Sequence, residues 1–338
     1  MSAVERIRRA ETVLDAVLQR ADAAVTLKNR TGRVATRSLL RMLRDADREL
    51  ERRLRREASK NGGPSARFTE VQLRSYQVQT RLAIEYAKAR LGGLSDRAAR
   101  NAVRAGFARS VSTLGRLQEA YTGVATPVRI PEAMSLERAT SKVRASMLGQ
   151  RATSLDRYGL KLVKEVERTL QRGILVGATQ SEMVDALVGK GGPAGVVSMR
   201  AVQLPDGSVR RLKLDEIPEG LFRRYRYWAQ RIVRTEVAYA QNAGAQKAIE
   251  ASQAEDFPEL QRKILAMMDK RTAPDSLGVH GQIRGVRDPF TDGAGRVYLH
   301  PPARPNDREV VIPWHPDWEE TPTSRPLPAS VRKAAGRP

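Results

Sequence analysis

The sequence predicts a mainly α protein with elongated N-terminal helices and a small C-terminal α+β module. Apolar residues recur at three- and four-residue intervals from the N-terminus onward, which lines them up on single helix faces. Beyond Met268 the texture changes: glycine and proline come every few residues and the apolar runs shorten to VYL and VVI, as in a small irregular module. With 338 residues and 41% hydrophobic content, the chain can bury two or three cores. The expected organisation is an N-terminal helical region over 1–130, a second region over 131–318 whose mixed module begins at about 269, and a disordered tail over 319–338.

Each element has its own signal. Ile7, Ala10, Leu14, Val17, Ala21 and Val25 form the inward stripe of a first helix, broken at Asn29 to Gly32. From Ala35 to about Arg56, Leu39, Leu43, Leu50 and Leu54 face inward, while RDADRELERRLRRE places charges of both signs at pairing distance on the other face. SKNGGPS reads as a loop, and helices are expected from about Phe68 to Arg90 and from Ser95 to Ala120. The prolines and glycine between Thr122 and Pro131 mark a boundary or a long loop. A helix from Leu136 to Gly173 follows, with Leu162, Val166 and Leu170 as its stripe. Thr179 and Glu182 then make a capping box that starts a short helix ending near Gly189. Partial alternation on both sides of Pro205-Asp206-Gly207 predicts a β-hairpin, and the last long helix runs from Pro218 to about Ser252.

Lys and Arg number 60 against 38 Asp and Glu, a formal net charge of +22. Such a field attracts polyanions, either phosphate backbones or acidic protein surfaces. The absence of cysteine excludes disulfides, thiolate zinc sites, iron–sulfur clusters and cysteine nucleophiles. The N-terminal segment lacks a secretory h-region, and no stretch approaches the roughly 20 apolar residues of a membrane span, so a cytoplasmic, membrane-free protein is expected. No G-x-S-x-G and no P-loop occurs. No enzyme, cofactor or metal is therefore expected. One alternative is a metal-dependent nuclease assembled from Asp269, Asp275, His280, His300 and Asn306, since phosphodiester cleavage calls for carboxylates around a divalent ion and a base for water.

Two segments carry the remaining information. In FRRYRYWAQRIVRTEVAYAQNAGAQKA, Arg223, Arg224, Arg226, Arg231 and Arg234 interleave with Tyr225, Tyr227 and Trp228. That pattern suits phosphate neutralisation and base stacking, and Arg223, Arg224, Arg226, Tyr227, Trp228 and Arg231 are the candidate nucleic-acid contacts. It also suits a helix that buries Trp228, Ile232 and Tyr239 beneath arginine stems, the heavier of the two readings. Arg234, Thr235, Glu236 and Asn242 form a polar set in the same helix. Arg234 and Glu236, two apart, must find partners elsewhere, with the C-terminal module the natural place and a structural clamp the natural role.

The second segment is MDKRTAPDSLGVHGQ, followed by PF and by HPPARPNDREVVIPW. It resembles the end of the phage Mu F-type head-morphogenesis domain, a family of minor capsid proteins. Asp269, Arg271, Thr272, Pro274, His280, Gly281, Phe290, Pro301, Pro302, Pro305, Asn306 and Arg308 follow that family's pattern in order, and LQRGILVGATQSEMVDAL and RIVRTEVAYAQNAGA are similar to its helix pair. The resemblance covers about Leu136 to Trp314. It departs at all four family cysteines, replaced by Ala273, Ser276, Asp307 and Glu309, and at a histidine replaced by Arg304. The cysteine spacing in other members suits a zinc clip or paired thiols, which this chain cannot build. Asp269, Arg271, Asn306 and Arg308 are expected to tie the two loops together instead. The resemblance implies a phage or prophage minor head protein that works in procapsid and virion assembly. Its implied partners are portal and capsid or scaffold proteins, with packaged double-stranded DNA as a further contact. Its implied place is the host cytoplasm during assembly and then the virion head interior. A dedicated DNA-binding protein is the alternative.

Overall fold

A computed structural model of the chain describes residues 2–25, 30–125, 128, 136–189, 200–203, 209–212, 220–267, 272–305 and 307–318. The fold is mainly α, with long N-terminal helices and a few short antiparallel strands toward the C-terminus. The elements are α1 (Ala3–Val25), α2 (Arg30–Lys60), α3 (Glu70–Thr122), α4 (Leu136–Leu175), α5 (Gln180–Val188), β1 (Arg200–Gln203), β2 (Val209–Leu212), α6 (Leu221–Arg224), α7 (Arg226–Glu255), β3 (Gln261–Ala266), α8 (Pro274–Val279), β4 (Ile283–Gly285), β5 (Phe290–Thr291), β6 (Val297–Tyr298) and β7 (Glu309–Trp314). They pack as two compact units, each assembled from segments distant in sequence. One takes in residues 1–35, 95–149 and 231–338, and the other 36–94 and 150–230. Residues 95–149 fall in a single unit, so the units do not divide at residue 130.

The first unit holds the C-terminal module. Ala10, Leu14, Val17 and Ala21 of α1 form the stripe read from the sequence. They join Leu114, Leu117 and Tyr121 of α3, Ala245 and Ile249 of α7, and Val310 to Ile312 and Trp314 of β7 in one core. Two helices cross there at backbone contact. A Cβ on Gly106 of α3 would lie 2.0 Å from the carbonyl oxygen of Gln241, and one on Gly244 of α7 would lie 2.3 Å from that of Val103. The antiparallel sheet has the order β4-β3-β7, with Gln261 opposite Trp314 and Ala266 opposite Glu309. Its central strand β3 lies before the point where the sequence placed the start of the module. KILA carries no alternation because five of the six residues of β3 are buried.

The second unit is helical apart from the β1-β2 pair. Leu39, Leu43, Leu50 and Leu54 of α2 and Leu162, Val166 and Leu170 of α4 are buried as their spacing predicts. The charges of α2 pair along the helix, with Arg53 on Glu49 and Arg55 on Glu51. The capping box is present: the Thr179 hydroxyl accepts from the Glu182 amide, the Glu182 carboxylate accepts from the Thr179 amide, and Gly189 ends the helix in the left-handed region. Arg200 pairs with Leu212 and Gln203 with Val209, the expected hairpin, whose turn residues lie outside the described residues. The two helices expected on either side of Leu91 to Leu94 are one continuous α3. Gly92 and Gly93 cost helix propensity, but Leu91 and Leu94 beside them are buried, and the Leu155 side chain of the same unit closes on the notch at Gly92. Of the break expected at Asn29 to Gly32, Arg30 to Gly32 already belong to α2 and Asn29 lies outside the described residues, as does the tail over 319–338.

Candidate functional site

Within the first unit, the start of α8, the loop before β7 and the first residue of β7 surround a cavity of about 280 Å³. Pro274 at the first turn of α8 sets the helix start, and the helix lies so close to the turn at Gly293 that a Cβ on Gly278 would come within 2.8 Å of it. Arg304 is the hub of the cavity wall. Its Nε donates to Asp307 Oδ1 at 2.6 Å, its Nη1 to Asp275 Oδ2 at 2.9 Å and its Nη2 to Ser276 Oγ at 3.1 Å. Arg296 adds a second tie, donating to Asp275 at 2.6 Å and to Asp292 at 2.7 Å. Bidentate and shared guanidinium contacts of this kind fix geometry as well as charge. The Arg304 network therefore joins the two loops that the sequence reading assigned to Asp269, Arg271, Asn306 and Arg308.

Glu309 sits beside this network, buried at the start of β7, and accepts from the Tyr298 hydroxyl at 3.2 Å. Burial first and the neighbouring Asp307 charge second push its carboxyl up to about 7, against the hydroxyls of Ser276 and Tyr298. Burial also raises Asp307, with Arg304 opposing. The positions 273, 276, 307 and 309 all line this one cavity. They do not form a metal site: Ala273 has no donor atom, and Ser276 and Asp307 are engaged by Arg304. Among the described residues no group of three or more His, Asp or Glu is placed to hold a metal ion.

The polar set of α7 has divided its tasks. Asn242 clamps the module: its amide donates to the Glu309 carbonyl at 3.1 Å while its oxygen accepts from the Val311 amide at 2.9 Å. Glu236 is buried and accepts from Ser95 of α3 at 2.6 Å, while residues 268–271 of the C-terminal module, in which a partner was expected, lie outside the described residues. Thr235 donates back to the Arg231 carbonyl in its own helix. Arg234 is half-buried, and its Nε meets no acceptor among the described residues.

In the module itself, His280 Nδ1 accepts from the Ala266 amide at 3.0 Å, and Gly281, at φ +80°, donates to the Ile264 carbonyl at 2.7 Å to close the turn onto β3. Pro302 follows a cis peptide bond and is half-buried, and Pro305 lines the cavity. Arg308 reaches Asp22 of α1 at 3.1 Å and so ties the module to the N-terminal helix. Asp269, Arg271 and Asn306 lie outside the described residues.

Sequence reasoning missed Arg262. This fully buried arginine of β3 donates to the carbonyls of Gly285 at 3.1 and 2.8 Å, of Leu299 and of Asp288, and to the Gln246 side chain of α7 at 2.8 Å, with Phe290 beneath it. Burial lowers its pKa to about 10 and leaves it a cation. Its acceptors are mostly backbone carbonyls of two separate segments, the turn at Gly285 to Asp288 and Leu299, so no residue-type pattern announces it.

The candidate nucleic-acid stretch is less free than its composition suggests. Arg223 is spent on buried Asp47, whose oxygens also take the Phe222 amide, and Gly220 is needed there because a Cβ would sit 2.3 Å from the carboxylate. Ile232 is buried as expected, but Trp228 and Tyr239 are only half-buried: Lys161 Nζ lies 3.9 Å over the Trp228 ring, and Tyr239 packs edge-on to His300. Tyr227 and Arg226 are exposed, Arg231 is half-buried, and the side chain of Arg224 is outside the described residues. Of the nuclease set, Asp269 and Asn306 lie outside the described residues, and the three that are described each have partners of their own. Asp275 is held by Arg296 and Arg304, His280 by a backbone amide, and His300 by the Pro301 carbonyl at 3.0 Å, with burial keeping its pKa low. Compared with models of protein families, with curated proteins and with solved structures, the chain matches none.

Proposed function

We propose that this chain is a minor head protein of the phage Mu F type, a structural component that joins portal and capsid or scaffold proteins during procapsid assembly and lies against packaged DNA in the head. The observation that carries the reading is the convergence of positions 273, 276, 307 and 309 on one cavity. These are the places at which members of that family carry cysteines. A polar network centred on Arg304 does here the cross-linking that thiolates would do there. The clamp of Asn242 on β7 and the tie from Arg308 to α1 fit a rigid structural piece better than a reaction centre.

Two experiments test this. Co-expression with the head genes should yield the chain in portal or procapsid fractions, and its consistent absence from both would sink the reading. Restoring all four thiols (Ala273→Cys, Ser276→Cys, Asp307→Cys and Glu309→Cys together) should give a chain that takes up about one zinc ion or forms internal disulfides. Four free, separately reactive thiols would remove the carrying observation. A dedicated DNA-binding protein is the second reading, favoured by the net charge of +22.

A further inference from the structure

A second cavity lies in the first unit between α1, α3 and α7, far in sequence from the Arg304 network. Its volume is about 360 Å³, within the range of small-ligand pockets. Three arginines line it: Arg20 from α1, and Arg109 and Arg116 about two turns apart on α3. No carboxylate lines it, and among the described residues none of these guanidinium groups is paired with one. Arg20 and Arg116 are exposed, whereas Arg109 is half-buried with its Nη2 sealed from solvent and without an acceptor.

An enclosed guanidinium nitrogen that has lost water and gained no acceptor is costly, and a fold keeps one where something else supplies the acceptor. We propose that this cavity binds a small phosphate-bearing anion. Three guanidinium groups around one space favour a doubly charged, many-oxygen group over a single carboxylate, because each planar fork takes two oxygens. Ser112 and the Gln241 carboxamide add uncharged donors, and Val13 with Ala105 gives an apolar wall for the part of the ligand that carries the phosphate. The phosphate comes from a free compound such as a mononucleotide or from a nucleic-acid chain. The assignment does not depend on the head-protein reading, since neither the Arg304 cavity nor a portal enters it. Burial supports the picture by drawing the Arg109 pKa down to about 10, still a cation at neutral pH.

Calorimetric titration of the full chain in phosphate-free buffer with pyrophosphate, AMP and a single-stranded oligonucleotide of about 20 nucleotides tests it. Saturable binding of pyrophosphate or AMP, one per chain, is expected, weakened about tenfold or more by Arg116→Gln and by Arg20→Gln. Arg109→Met should abolish binding while raising the thermal midpoint of the ligand-free protein, because it removes a buried cation without a partner. If that variant does not fold, the two exposed glutamine variants decide alone. Binding of the oligonucleotide only, weakened by the same variants, identifies a chain phosphate as the ligand and sustains the site. No saturable binding of any of the three, or binding indifferent to all three arginines, overturns it.

Discussion

Glu309 carries a pH dependence whose sign is fixed by its surroundings. In the folded chain its carboxyl titrates at about 7, raised by burial and by Asp307, against an ordinary value of 4.5. Between those two pH values the folded state holds a proton that the unfolded state has released. Stability is therefore full below about pH 4.5, falls as pH rises toward 7 and stays lower above it. The size is on the order of 3 kcal/mol before relaxation around the site reduces it. Glu309→Gln keeps the shape and the acceptor for Tyr298, so urea unfolding should find the variant about 2 kcal/mol more stable than the wild type at pH 8 and equal to it near pH 4.5. Parallel stability curves for the two proteins would show that Glu309 is already ionised in the fold. Asp307 is raised in the same direction and its charge is coupled to that of Glu309, so the difference between the two proteins reads the pair rather than Glu309 alone. Of this site, the role of Asn242 as a structural clamp was legible in the sequence. Arg304, Arg262 and Asp47 were not, because their partners are brought from 29, 23 and 175 residues away, two of them backbone groups.

At the scale of elements, the helices whose apolar stripes repeat were legible, and so was the one whose ends carry chemistry. The Thr179 box and Gly189 define α5 by side-chain and backbone hydrogen bonds that depend only on neighbours. What could not be read is where burial overrides a local rule, as at β3, which is covered too completely to alternate, and at Gly92-Gly93, where α3 continues through two poor helix formers. Glycine at Gly106 and Gly244 poses the same problem in its sharpest form. Helix propensity alone makes alanine better by about 1 kcal/mol at either position. Yet the added methyl would meet backbone carbonyls at 2.0 and 2.3 Å, which cannot rotate aside. The helices would have to part and loosen the core that both share. Gly106→Ala and Gly244→Ala should each destabilise the protein by about 3 kcal/mol in denaturant unfolding. Gly149→Ala, at an exposed position of α4, meets nothing within 4 Å and should stabilise by about 1 kcal/mol. A neutral outcome at Gly106 and Gly244 would mean that the crossing is wider than described.

At the scale of the whole molecule, the net charge of +22 is spread through arginines that differ in how far they are already engaged. Arg55, Arg296 and Arg304 are held by carboxylates, and Arg223 is held by Asp47. An ion pair cancels a cation's field locally, so a polyanion is drawn to the surplus arginines and not to those that composition alone singles out. Duplex DNA should therefore bind at low salt, with log affinity falling linearly against log salt by about 0.9 for each phosphate neutralised. Arg223→Gln separates the two accounts of its segment. If Arg223 serves Asp47, the variant leaves the salt slope unchanged and costs about 3 kcal/mol of stability, because a buried carboxylate loses its cation. If Arg223 touches DNA, the slope shrinks by about one and stability hardly moves. Fluorescence anisotropy between about 50 and 200 mM salt, run beside urea unfolding, reads both quantities. The geometry at Asp47 favours the first result, and a flat salt response of the wild type would count against DNA as a partner altogether.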